Sequence, residues 1–294
     1  MLRLFTVTAL AALTLALPAA AQPEVETEEI VVIGERLHDM VRGFVEELEP
    51  PPLSEGQLAR WNSRVCPLVA GIPARQAQYV IDRISQRAFD LGLRPGGPEC
   101  RANLLIFFTP DADMLAQALA DDRALVAYYN NAEYGNTQGR DALARFVASD
   151  APVRWWHVAQ TVSRTGVVLD GDVDVVRSDG SRLHTATRQD FNRAMIVVDA
   201  RQADGTPFEA LADYLAMVSL AQLDADADTS ATPSILNLFA DRAAGRPPTM
   251  HMTDWDLAYL EGLYAAPRNA TSMGSQERAI SRRMEDELTQ DPRE

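Results

Sequence analysis

Side chains able to bind a metal, move a proton or attack a carbonyl are scarce in this chain: four histidines (His38, His157, His184, His251) and two cysteines (Cys66, Cys100) in 294 residues. Zinc hydrolysis from one helix needs two histidines four residues apart, on one face, with a glutamate beside the first to activate the metal-bound water. No histidine lies between His184 and His251, so no helix in that stretch meets the requirement. Serine catalysis finds no Gly-x-Ser-x-Gly elbow; Ser163, Ser178, Ser181, Ser219 and Ser234 would each need His157 or His184 delivered by the fold. A Gly-rich phosphate loop, a Cys-x-x-Cys pair and a dinucleotide fingerprint are also absent. His157 sits between apolar neighbours and reads as a core histidine.

Two carboxylate features remain. Asp224, Asp226 and Asp228 alternate like the start of a calcium loop, but Thr229 stands where the tight turn needs glycine and Ile235 where a bidentate glutamate would sit. The plain reading is a solvated acidic turn, and the sharper one a non-standard cation or ligand site. Asp213 stands alone inside an otherwise apolar helical run. Burial there demands a charged partner or protonation, so the choices are an arginine pair, a place at the helix edge, or an acid–base group. The expectation is no catalytic residue, no metal and no cofactor.

The elements that must position these residues begin with a leader. Arg3, an apolar run from Leu4 to Leu17 and an Ala19-x-Ala21 ending form a signal peptide over residues 1–21, which implies a periplasmic or extracellular product with no membrane span after cleavage. In that oxidising setting Cys66 and Cys100 read as a structural disulfide. A net charge of −15 repels phosphate backbones and excludes nucleic acid as a partner.

Residues 22–57 read as a flexible acidic arm: a β-prone run at Glu29–Gly34, a short amphipathic helix over Arg36–Glu49 and a stiff Pro50-Pro51-Pro52 spacer. The Glu29–Gly34 run resembles the TonB box, a peptide captured by adding a strand to a partner's sheet. From residue 58 the pattern alternates. A segment at 65–70 precedes a helix over Ala74–Leu91 with Val80, Ile81, Ile84, Ala88 and Leu91 inward, Arg75, Arg83 and Arg87 outward, and Gly92 as its stop. Then come a doubly buried strand at 102–109, a helix at 111–119, helical pieces at 124–145, and strands at 153–162, 166–176 and 194–200. Trp155 and Trp156 must face opposite sides, so only one joins the main core. Helices over Phe208–Gln222 and Asp254–Tyr264 follow, and a charged tail at 267–294 contains an exposed helix around 276–288.

Between Met195 and Tyr264 the order of segments is a strand, a helix ending at Ala221-Gln222-Leu223, the Asp224–Asp228 run, Ser234-Ile235-Leu236, and a helix carrying Asp256 and Leu263-Tyr264. This resembles zincin-like metalloproteases, whose helix ends in a Gly-Leu-like step before an acidic segment, a Ser-Ile-Met turn and a helix of the form Asp, spacer, Leu-Tyr. With Trp61, the helix at 74–91 and the Asn103 strand, residues 58–266 resemble a secreted proteobacterial family that looks like a degenerate zincin. The resemblance implies an α/β (α+β) fold: a mixed sheet with packed helices, one zincin-like domain with an N-terminal arm. It also places Leu215 and Ser219 at the histidine positions, Ala216 at the glutamate and Leu236 at the methionine of the turn, none of which can serve. The implied protein is a pseudoenzyme, a noncatalytic module holding a peptide or an envelope protein in the cleft vacated beneath helix 208–222. The competing readings are a hydrolase with a carboxylate/His site of another kind and a structural envelope protein tethered by its arm.

Overall fold

The computed structural model describes residues 26–50, 56–122, 138–169 and 184–290. Its centre is a four-stranded mixed sheet in the order β1-β2-β4-β3: β1 Pro67–Ala70, β2 Leu104–Thr109, β3 Val153–Ser163 and β4 Thr187–Asp199. β1, β2 and β4 run parallel and β3 lies antiparallel along β4, pairing Trp155 with Ile196. The α/β class with a mixed sheet and packed helices is therefore correct. The strand read at 166–176 lies mostly outside the described residues; Val168 makes one antiparallel bridge to Val162.

Alternation along the strands gives each face its own core. Leu104, Ile106 and Phe108 on β2, with Ala194, Ile196 and Val198 on β4, join the main cluster. Met195, Val197, Trp156 and Val158, with Leu105 and Phe107 packed against them, form a second one. Helices α3 (Ala112–Asp121) and α4 (Gly139–Ala148) cover the second face through Ala116, Leu119, Leu143 and Phe146. Trp156 joins this smaller core, whereas Trp155 packs against the main one and donates its indole N–H to Leu223 O at 3.2 Å.

On the main face lie α2 (Ala74–Asp90), α5 (Phe208–Leu220), α6 (Leu238–Ala243), α7 (Asp254–Ala265) and α8 (Met273–Thr289). α2 buries Ala77, Val80, Ile84 and Ala88, one residue per turn or nearly so. It stops at Gly92, whose φ of +74° is open to glycine without strain. Ile81 and Leu91, expected inward, are only half-buried.

Both ends of the chain differ from the expectation. Helix α1 spans Glu26–Leu48, so the Glu29–Gly34 run is helical in backbone and not the extended segment that strand addition requires. Val41, Phe44, Val45 and Leu48 then enter the main core, because a helix carrying an apolar stripe gains more by burying it than by remaining a free arm. The chain divides into two units between Arg36 and Leu37, and the unit containing the sheet begins at Leu37 rather than 58. At the other end, α8 is no exposed tail: Ile280 and Met284 are fully buried. It approaches α7 at Gly262, where an added Cβ would meet Ile280 O at 2.9 Å.

Cys66 and Cys100 form the disulfide, with Cα atoms 5.9 Å apart. Gly96 leaves room for it, since a Cβ there would collide with both sulfur atoms. The bridge fits an extracytoplasmic, oxidising setting. Among the described residues no helix is long and apolar enough to cross a membrane; the leader lies outside them.

Candidate functional site

Helix α5 follows β4 through a turn held by two side chains. Asp199 Oδ1 accepts from the amides of Arg201 and Gln202 at 2.9 and 3.2 Å. Arg242 donates to Gln202 O at 3.1 Å, to Thr206 Oγ1 at 2.7 Å and to Asp204 O. Every residue of α5 from Ala210 to Leu220 is buried, which explains its near-continuous apolar composition.

Enclosure decides what α5 can do. Leu215, Ala216 and Ser219 each have 0% of their surface exposed. The cleft expected beneath helix 208–222 is therefore filled at these positions by the protein's own core, with Leu215, Ala216 and Ser219 packed into it. Leu236 is half-buried and packs against the same core.

Asp213, also 0% exposed, has drawn charges to itself. Its Oδ1 lies 3.0 Å from Arg83 Nε and 3.6 Å from Arg87 Nε. Oδ2 accepts from Met252 N at 3.1 Å and lies 3.6 Å from His251 Nδ1. Arg83 and Arg87, expected on the wet face of α2, instead lie one turn apart facing α5. Their Nε groups do not align as hydrogen bonds to Asp213 Oδ1, so the attraction is Coulombic between two packed helices. The arginine reading of Asp213 holds, and the histidine beside it is His251, not His157 or His184. The spacing Arg83-x-x-x-Arg87 was the available signal; the folded partner of α2 was not.

The C-terminal end of α5 has another solution. The last carbonyls of a helix lack partners within it. Here Val218 O accepts from His157 Nε2 at 2.9 Å, Ser219 O from Trp61 Nε1 at 2.7 Å, and Leu220 O from the Tyr264 hydroxyl at 2.7 Å. His157 therefore carries its proton on Nε2; burial pushes it from 6.5 down to about 4, only partly offset by that bond. Its ring lies 4.8 Å from that of Phe191. The core reading of His157 is correct, and His184 is exposed.

The Ser234-Ile235-Leu236 turn is joined to α7 by Asp256. This buried carboxylate accepts from Ser234 Oγ at 2.6 Å, from Ile235 N and Thr253 N at 2.8 Å each, and from Thr253 Oγ1 at 2.9 Å. Burial raises it above the ordinary aspartate value, with the donors opposing. Thr253 and Asp256 together form a capping box at the start of α7.

The acidic run does not converge. Asp224 Oδ1 accepts from Asp226 N at 3.1 Å and Asp228 Oδ1 from Ser230 N at 3.0 Å, while Asp226 lies 3.4 Å from Arg145. Among the described residues no group of three or more His, Cys, Asp or Glu side chains is placed to hold a metal ion. Asp224 and Asp228 cap the turn, Asp226 pairs with Arg145, and Asp213 is not part of their cluster. Compared with known proteins, the chain matches no family model, no curated protein and no solved structure.

Proposed function

We propose that this protein is a noncatalytic binding module on a zincin-like scaffold, exported to the periplasm or beyond by its 1–21 leader, and that it holds an extended peptide along the outer edge of β1. The observation that carries the reading is the complete enclosure of Leu215, Ala216 and Ser219, which leaves the zincin helix as a core element. The resemblance is supported by three segments meeting as it implies: Tyr264 reaches the end of α5, Asp256 binds the Ser234-Ile235 turn, and β4 feeds α5 directly. Peptide capture by strand addition uses main-chain groups at a sheet edge and needs no metal; β3 is covered, its Thr161 and Ser163 bonded to Leu169 and Val167, whereas β1 is an edge strand with Leu68 42% exposed.

A photo-crosslinking residue at Leu68, exposed on β1, should capture extended peptides from a random library, while the same residue at Gln78 on α2 should not. Capture at neither position, or equally at both, overturns peptide binding at β1. Cleavage of an unfolded protein substrate by the purified chain supplied with zinc overturns the noncatalytic reading.

A further inference from the structure

Against the acidic balance of the chain, four arginines border one cavity of about 390 Å³: Arg60, Arg64, Arg94 and Arg268. It lies between the 60–64 segment before β1, the 91–94 turn after α2, and the end of α7, where Tyr264 forms part of the wall. Its frame is rigid. Val65 N donates to Arg94 O at 3.1 Å, Gly96 N to Val65 O at 2.7 Å, and the Cys66–Cys100 disulfide ties the same strands.

The charges in it are only partly compensated, Asp190 acting on Arg60 alone. Arg60 is 2% exposed and spends its guanidinium on neutral acceptors, donating to Leu263 O and to Ala266 O at 2.8 Å. It caps the C-terminal end of α7 while bringing a full positive charge to the base of the cavity. Burial above all, with Arg268 and Arg188 adding to it and Tyr264 and Asp190 opposing, lowers it to about 10, yet it remains charged at neutral pH. Arg64, Arg94 and Arg268 are exposed and have no carboxylate partner among the described residues. Other arginines are paired with carboxylates: Arg154 with Asp113, Arg188 with Asp190, Arg246 with Asp241. Ser63, also lining the cavity, is exposed and offers a hydroxyl.

We propose that this cavity binds a small multivalent oxyanion, phosphorylated or polycarboxylic, gripped by Arg64, Arg94 and Arg268 above the fixed charge of Arg60. Guanidinium forks match both classes in two-pronged fashion, and the free protein holds like charges together at a cost that an anion relieves. The site is independent of peptide capture, because none of these residues lies on β1.

The test is calorimetric titration of the purified protein at constant ionic strength with inorganic pyrophosphate and, separately, citrate. Saturable binding of at least one probe is expected, and the tighter of the two identifies the ligand class. Arg94→Gln and Arg268→Gln should each weaken binding about tenfold. The triple variant with Arg64→Gln should abolish it, whereas Arg282→Gln on α8 should bind as the parent does. Because these side chains are exposed, the denaturation midpoint serves as the check on folding. No saturable binding of either probe, or unchanged binding by the triple variant, overturns the proposal.

Discussion

The middle and the C-terminal end of α5 solve the same problem, buried polar groups, with different chemistry. Near its middle, Asp213 is matched by two guanidinium groups from α2, with His251 and one backbone amide. At its C-terminal end, three carbonyls are matched by neutral donors from His157, Trp61 and Tyr264. A full charge leaves water at a cost that only opposite charge and hydrogen bonds together offset, whereas a carbonyl needs one aligned donor. The charged solution binds one helix to another. The neutral one locks the helix end into the sheet and into α7, and it occupies the end of the helix on which a zincin-like chemistry would depend.

Removing the cations should produce the largest effect. In an Arg83→Met, Arg87→Met double variant Asp213 keeps its burial but loses its main partners, and stability should fall by about 3–5 kcal/mol, read from urea denaturation. Asp213→Leu should cost clearly less, because the partly exposed arginines are free to turn to water. Equal losses would show that the pair acts through packing alone and would break the contrast.

The neutral end carries the pH dependence. The folded pKa of His157, about 4, lies below its ordinary 6.5, so its contribution is fully present above 6.5 and is lost as pH falls through about 4. The loss amounts to about 3 kcal/mol. Denaturation midpoints measured between neutral pH and about 4 should drop for the parent chain and stay flatter for His157→Gln, which keeps a donor but does not titrate; parallel curves would remove His157 from the acid limb. The smallest effect belongs to Tyr264→Phe, which leaves Leu220 O without its donor and should cost about 1 kcal/mol at every pH. A pH-dependent loss there would mean that the two caps are coupled.

Much of α5's character was legible beforehand. Its span, the isolation of Asp213 and the unsuitability of Leu215, Ala216 and Ser219 for metal chemistry are matters of residue type and spacing. The arginines are visible too, but their pattern points only to solvent, because an amphipathic pattern marks a charged face without saying whether another helix covers it. The same limit explains both chain ends. The stripes of α1 and α8 suggest by themselves a short arm helix and an exposed tail helix, and both are buried against the central domain.

By itself the sequence determined the mixed α/β class, the α2 and α5 spans, the disulfide partners and the absence of a His-Glu-x-x-His helix, since each rests on local periodicity or on residue type. Only the tertiary structure decided that Asp213 faces Arg83 and Arg87, that His157, Trp61 and Tyr264 meet at the end of α5, and that four arginines border one cavity. Those groups lie far apart along the chain, and no local pattern records which distant carbonyl or charge the fold will bring to each.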